Sequence, residues 1–195
     1  MYPGSQSPLR VAKRQSKLTP LDHASSVRIV PPFGQMRHSA SLHPMQQVMV
    51  RSAVVSERKS LEALQWRASL KNPGDSESLR ANPDAIELPL GQIEGGGVFV
   101  AEVAGAVMGF AAILPREDGD SELDALFVEP DAWRQGIGRA LVERCCHAAR
   151  AAGSTSIHVL GNPHAEAFYR SCGFAVRGTK QTRFGIGLLM KRGVQ

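Results

Sequence analysis

One segment constrains the fold of this chain more than any other: an apolar strand candidate passes through a short turn into an amphipathic helix. Residues 126–139 read Leu-Phe-Val-Glu-Pro-Asp-Ala-Trp-Arg-Gln-Gly-Ile-Gly-Arg. In the helix that follows, the apolar positions recur at spacings of four, four, three and four, with charged residues opposite: Ile137, Leu141, Cys145, Ala148 and Ala152. The change of period from strand to helix indicates an α/β domain.

The glycines at the start of this helix indicate a possible anion site. Gly136 and Gly138 remove side chains where a backbone would approach a ligand closely. The free N–H groups of the first turn, with the positive end of the helix dipole behind them, suit a diphosphate, and Arg134 and Arg139 could add charge at its rim. The same glycines would also serve a tight strand–helix junction, so this pattern alone fits either interpretation.

The remaining elements alternate between the two periods. Helices are predicted from Ser56 to about Lys71 and around residues 78–86. Asn162-Pro163 predicts an N-cap followed by proline at the first helical position, with that helix ending at Gly173. Strands are predicted at residues 48–50, 98–101, 107–114, 123–128, 156–160, 174–176 and 187–190. The result is an α/β domain with a mixed sheet.

A second motif makes the interpretation more specific. Residues 162–174 read Asn-Pro-His-Ala-Glu-Ala-Phe-Tyr-Arg-Ser-Cys-Gly-Phe. In this order and separation, the two segments resemble the GNAT superfamily of acetyl-CoA-dependent N-acetyltransferases. The resemblance covers about residues 47–193 and is densest at 122–174. It implies a mixed, mostly antiparallel central sheet, flanked by helices and splayed between strands four and five to admit acetyl-CoA.

The resemblance also implies roles for matching residues. Asn162 would hold the pantetheine amide, and the fourth strand would pair its backbone with the pantetheine arm, one N–H polarising the thioester carbonyl. The family often has Arg or Gln where this chain has Trp133, which weakens the side-chain part of phosphate binding. Backbone amides toward the diphosphate would come from Gln135, Gly136, Ile137, Gly138 and Arg139, and the pantetheine strand comprises Leu126, Phe127 and Val128.

Amide formation needs a proton acceptor, because an alkylammonium has a pKa near 10.4 and attacks only when neutral. Glu122 and Asp124, on one face of the fourth strand, are candidates, and Glu122 matches a catalytic glutamate of some family branches. Both could instead be solvated acids, and His158 is a third option that could equally be a packed residue. The resemblance favours Tyr169 as the acid that protonates the CoA thiolate. Ligand spacing for a metal is absent from the sequence, so no metal is expected.

Charge separates the chain into two parts, a tail at 1–45 and a domain at 46–195. The tail holds six Lys/Arg and one Asp, so it carries 6 − 1 = +5, and the domain carries 17 basic and 17 acidic residues. The tail also has six of the twelve prolines, which predicts a disordered or loosely attached segment. An overextended start is favoured over a targeting peptide or an electrostatic arm for RNA or membrane. The neutral domain is not expected to bind nucleic acid.

The remaining expectations follow from composition. Three cysteines, two of them adjacent and none in a CxxC pair, favour reduced thiols and a cytoplasmic protein. Apolar runs fall short of the ~20 residues that cross a bilayer, so no membrane partner is expected. The expected partner is a small-molecule or peptide amine acceptor, and a homodimer is possible. Two alternatives stay open: a non-catalytic acyl-CoA-binding sensor or partner module, and a nucleic-acid-associated protein that uses the basic tail.

Overall fold

The computed structural model describes residues 47–71, 79–80, 86–182 and 185–195. The basic tail at 1–45 lies outside these residues. Of the helix predicted around 78–86, Leu79 and Arg80 are helical, Ile86 is not, and the remainder lies outside the described residues.

The described residues form a seven-stranded open sheet in the order β1-β2-β3-β4-β5-β7-β6. Every neighbouring pair is antiparallel except β4 and β5, which are parallel. This confirms the predicted mixed, mostly antiparallel α/β sheet. The strands are β1 (Met49–Ser52), β2 (Val98–Val103), β3 (Ala106–Pro115), β4 (Ser121–Val128), β5 (Ser156–Gly161), β6 (Ala175–Thr182) and β7 (Gly185–Gly193).

Helices cover both faces of the sheet. On one face, α1 (Arg58–Lys71) and α2 (Leu90–Glu94) pack on a core that includes Phe110. On the other face lie α3 (Ile137–Ala151) and α4 (Glu166–Ser171), over a larger core. Short 3₁₀ turns lead into both of these helices: Pro130–Ala132 precedes α3 and Pro163–Ala165 precedes α4.

The buried face of α3 differs from the predicted stripe. Ile137, Leu141 and Cys145 are buried as expected, but Ala148 is only half-buried and Ala152 is exposed. Ala152 is the C-terminal cap rather than part of the helix. The buried face also includes Val142, Cys146 and Ala149, so it is wider than the predicted stripe and extends to one side of it.

The terminal hairpin is longer than the sequence predicts. Strands were expected at 174–176 and 187–190, but β6 and β7 pair from Ala175 opposite Lys191 to Thr182 opposite Gly185. The extra residues of β6 are mostly polar and exposed, so they carry no alternating apolar signal. Backbone hydrogen bonds with β7 extend β6 over these residues, although their side chains show no strand-like pattern.

β4 and β5 separate along their length, and this separation creates a cleft in the sheet. Only two residue pairs join them, Ser121 with Ile157 and Glu122 with His158, although both strands continue further. We call residues 120–122 beside 156–158 the closed end, and residues 124–128 beside 159–161 the open end. The predicted splay between strands four and five is thus confirmed.

The cysteines and the helices bear on two further predictions. Cys145, Cys146 and Cys172 are free and buried, and burial raises the pKa of the Cys145 thiol to about 12, so that thiol stays protonated and unreactive at neutral pH. Among the helices of the described residues, none is long and apolar enough to cross a membrane.

Candidate active site

The open end exposes one edge of β4. Leu126, Phe127 and Val128 pair with β3 on one side, and the β5 ladder ends before it reaches them on the other. Backbone polar groups on an unpaired strand edge are a template for another extended chain. The strand predicted to hold the pantetheine arm is therefore the strand whose edge is open.

The first turn of α3 lies directly beyond this edge. No side chain caps the helix at Gly136, and the first backbone bond runs from the Ala140 N–H to the Gly136 carbonyl. The amides of Ile137, Gly138 and Arg139 consequently have no acceptor among the described residues. Unfilled N–H groups at the start of a 15-residue helix suit an anion.

The two glycines of the turn serve different purposes. Gly136 adopts a φ of +83°, in the left-handed region, and a side chain there would meet nothing within 4 Å. A Cβ on Gly138 would instead lie 3.2 Å from ring atoms of Phe168 on α4. The missing side chain of Gly138 therefore makes room for Phe168, and the approach of a ligand to the backbone of both glycines stays a prediction.

The remaining side chains of this loop have contacts of their own. The Trp133 indole, 42% exposed, donates to the Val128 carbonyl at 2.8 Å and so ties the loop to the end of β4. Gln135 donates to the Asp131 carbonyl, and Arg139 donates to the Ser171 hydroxyl. Arg134 is exposed with a φ of +65°, a conformation that costs a non-glycine residue about 1–2 kcal/mol.

Tyr169 and Asn162 lie beside the end of β5. The Tyr169 ring packs edge-on against Phe168 and Phe174, and a Cβ on Gly161 would come within 3.1 Å of it. Burial raises the pKa of the Tyr169 hydroxyl above its ordinary value. The Asn162 side chain accepts from the His164 N–H at 2.9 Å, which confirms the predicted N-cap.

The closed end is held by one carboxylate, Asp120. Its oxygens accept hydrogen bonds from the Thr155 hydroxyl and the Ser156 N–H, and they contact His158 Nε2 at 2.9 Å and Lys191 Nζ at 3.0 Å. His158, followed by Lys191, lowers the pKa of Asp120. Asp120 thereby joins the start of β4 to β5 and β7.

Further polar contacts surround this carboxylate. The hydroxyls of Ser121 and Ser154 share a buried hydrogen bond of 2.9 Å. Arg116 forms ion pairs with Asp118 at 2.7 Å and with Glu122 at 3.3 Å. Glu122, a predicted proton acceptor, therefore lies where β4 and β5 are still paired and has a cationic partner.

The fold also gathers Asp118, Asp120 and His158 so that one ligand atom from each lies within 4.8 Å of the others. The sequence does not indicate this cluster, because its members do not have a ligand-type spacing. Arg116 and Lys191 already neutralise the two carboxylates. The cluster is accordingly an ion-pair network of the closed end.

Asp124 occupies a β-bulge at the entrance to the open end. The β3–β4 register passes from Ala112 opposite Ala125 to Ile113 opposite Leu123, so Asp124 has no partner on β3. Gln92 Nε2 donates to Asp124 Oδ2 at 3.2 Å. Desolvation, followed by the charge of Glu122, raises the pKa of Asp124.

Comparison with protein families agrees with this geometry. The acetyltransferase (GNAT) family model matches residues 60–174. This chain belongs to the GNAT acetyltransferase family. The match includes β4, the glycine turn, α3, β5 and α4, which together form the cleft.

One curated relative of this GNAT protein matches a shorter stretch of the chain than the family model does. An IAA acetyltransferase of Azospirillum brasilense is 40% identical over 83 residues, which cover 40% of this chain and 54% of that protein. The chain therefore spans about half the length of this curated relative.

Two solved structures share the fold. PaiA N-acetyltransferase from Thermoplasma acidophilum, in complex with coenzyme A, aligns with a TM-score of 0.62 at 15% identity, over 75% of this chain and 99% of that one. A ribosomal-protein-alanine N-acetyltransferase from Brucella melitensis aligns with a TM-score of 0.57 at 26% identity, over 74% and 99%.

Proposed function

We propose that this GNAT acetyltransferase binds acetyl-CoA in the cleft between β4 and β5 and transfers the acetyl group directly to a primary amine. The observation that carries the proposal is the loss of β4–β5 pairing after Glu122, which leaves an open strand edge leading to the uncapped start of α3. The complex of the PaiA relative with coenzyme A supports this cofactor, and the names of both structural relatives support an amine acceptor.

The residues of the cleft fit the parts of acetyl-CoA. The free amides of Ile137, Gly138 and Arg139 suit the diphosphate, with Gln135 and Gly136 shaping the turn. The edge at Leu126, Phe127 and Val128 suits the two amides of the pantetheine arm, which can pair like a short strand. The Asn162 side chain has an NH₂ group left over from its cap, and this group suits a pantetheine carbonyl. Arg134, exposed at the rim, suits a phosphate.

Acetyl-CoA supplies an acyl group that is activated as a thioester. The chain contributes a β4 N–H that would polarise the thioester carbonyl, in the manner of an oxyanion hole. Carboxylates on β4 would take the proton of the acceptor ammonium. The Tyr169 hydroxyl is protonated at neutral pH, burial raises its pKa further, and it suits a hydrogen bond to the thioester sulfur.

The test is CoA release from acetyl-CoA in the presence of a panel of amines, with the acetylated product identified by mass. The panel covers polyamines, amino acids, aminoglycosides, peptide N-termini and lysine peptides. Turnover of at least one amine by the wild type, abolished in Gly136→Glu, is the expected result. Acetyl-CoA binding without turnover of any amine would favour the sensor alternative, and absence of binding would contradict the proposal.

A further inference from the structure

Building on the proposed function, we propose that Asp124, held by Gln92 at the β4 bulge, is the residue that takes the proton of the acceptor ammonium, and that Glu122 instead belongs to the closed end. This assigns the general base to an acid other than the one that the family resemblance favours. It also places the acceptor amine on the α1/α2 face of the sheet.

The side chains of β4 point to two different faces of the sheet. Leu126 and Val128 pack with the α3 core, whereas Ala125 and Phe127 pack with the α1 core. The bulge at Asp124 directs this carboxylate to Gln92 of α2, on the α1 face. A diphosphate at the start of α3 would lie on the opposite face, so a thioester in the cleft would present its carbonyl to an amine arriving beside Asp124.

The side chain of Gln92 contacts Asp124 and leaves its own oxygen unpaired. Among the described residues, its side chain makes one hydrogen bond, to Asp124, while Gln92 Oε1 is buried without a partner. An unsatisfied buried acceptor costs about 1–3 kcal/mol, so the orientation of this amide is not explained by its own packing. Holding a carboxylate at the cleft accounts for it, as unsatisfied groups often mark functional sites.

The two acids of β4 have different charged neighbours. Glu122 is paired with Arg116 and lies opposite His158, where β4 and β5 are still joined. Asp124 has no cationic partner among the described residues, and the charged group that acts on it is Glu122. A carboxylate without a counter-ion, beside a second negative charge, suits an incoming ammonium and is a stronger base than an ordinary Asp.

Protons and electron pairs balance in the proposed transfer. The ammonium gives one proton to the Asp124 carboxylate and becomes a neutral amine. Its nitrogen lone pair forms the C–N bond to the acyl carbon while the C–S bond breaks, and the electron pair of that bond leaves on sulfur. The nitrogen then loses its second proton to the thiolate, which gives the amide, CoA thiol and a protonated Asp124.

The experiment compares two nucleophiles of similar shape, n-butylamine and butanoyl hydrazide. Butylamine is an ammonium ion at pH 7, whereas the hydrazide is already neutral and needs no base before attack. Asp124→Asn should lower kcat/KM for butylamine by roughly 100-fold or more and for the hydrazide by less than about fivefold. It should also remove the acidic limb of the pH profile, which in the wild type lies above the ordinary pKa of Asp, about 3.9.

Asp118→Asn is the control, because Asp118 lies outside the proposed site and should leave both rates unchanged. Glu122→Gln is the competing variant. Equal losses on both nucleophiles in Asp124→Asn, or a butylamine-selective loss in Glu122→Gln, would overturn the assignment. Calorimetry separates this from failure of the proposed function, since Asp124→Asn should bind acetyl-CoA as the wild type does.

A titration that needs no turnover completes the test. The ¹³C-carboxyl signal of Asp124 should titrate above about 3.9, and Gln92→Leu should move its midpoint higher, because the Gln92 hydrogen bond lowers that pKa. If the wild type acetylates neither probe, this midpoint still tests whether Asp124 has the environment that a general base requires. A value at or below the ordinary one would contradict the environment that the proposal requires.

Discussion

β4 and β5 begin side by side, and the two ends of this pair differ in how completely their polar groups are bonded. At the closed end, Asp120 alone contacts four groups on β7, on β5 and just before it, and the Ser121 and Ser154 hydroxyls bond each other. At the open end, no described residue pairs with the β4 edge as a ladder partner, and none caps the first turn of α3.

This difference shows how one sheet can contain both a firmly bonded strand junction and an open cleft. A parallel pair with only two rungs would be weak by itself. Charge-assisted hydrogen bonds at the closed end compensate for the few backbone hydrogen bonds between β4 and β5. The two strands can therefore diverge at the open end while the sheet remains stable. The unsatisfied groups are concentrated at the end where an extended ligand could pair with them.

The largest effect is expected at the open end, from Gly136→Glu. The new carboxylate would stand in the anion cradle, and we expect acetyl-CoA affinity to fall at least about 100-fold, measured by calorimetry. Gly153→Glu is the matched control, because Gly153 has a φ of +84°, has equally open surroundings, and lies at the far end of α3. It shares the backbone strain and should keep its affinity within about twofold. Equal losses of affinity in both variants would show that the substitutions act by destabilising the fold rather than by blocking the anion cradle.

The next largest effect is expected at the closed end, from Asp120→Asn. Losing the charge that joins β5 and β7 should lower the Tm by roughly 5 °C, whereas Asp118→Asn, which removes an exposed pair, should shift it by less than about 1 °C. Because the folded state lowers the pKa of Asp120, its stabilisation is present above about pH 4 and is lost as the pH falls further. A Tm difference between wild type and Asp120→Asn that stayed constant down to pH 3 would contradict this.

Asn162 should separate capping from ligand binding. Asn162→Ala removes the acceptor for the His164 N–H and should cost about 1 kcal/mol of unfolding free energy. Asn162→Asp retains the cap but loses the amide donor, so it should fold like the wild type and bind acetyl-CoA several-fold more weakly. Denaturant titration and calorimetry measure the two effects, and wild-type affinity in Asn162→Asp would limit Asn162 to capping.

The smallest effect is expected from Gly138→Ala. Its methyl group would lie 3.2 Å from the Phe168 ring, and this crowding, which costs about 1–3 kcal/mol, is offset by the gain of about 1 kcal/mol that Ala has over Gly in a helix, so the net change in unfolding free energy should be small. Acetyl-CoA affinity should stay within about threefold. A loss comparable with that of Gly136→Glu would mean that both glycines make room for the ligand.

Much of the fold could be predicted from local pattern. The strand–turn–helix at 126–139 and the Asn162 cap depend on neighbouring residues, so periodicity and turn chemistry reveal them. The splay followed from the family resemblance. The length of β6 could not be predicted, because its polar residues are held by backbone pairing with β7 rather than by an apolar face.

The polar network and the bulge were beyond sequence reasoning. His158 and Lys191 lie 38 and 71 residues from Asp120 in the chain, so only the folded sheet brings them together. The bulge leaves Asp124 without a residue opposite it on β3. Sequence could name both acids, but the register and the partners of each distinguish them.

The most direct test of the account is hydrogen–deuterium exchange with and without acetyl-CoA. We expect added protection at the open end, in peptides covering residues 126–128 and 136–139, and unchanged exchange at 120–122 and 156–158, which are already bonded. Protection spread evenly over both ends, or absent from 126–128, would contradict the claim that acetyl-CoA pairs with the open edge of β4.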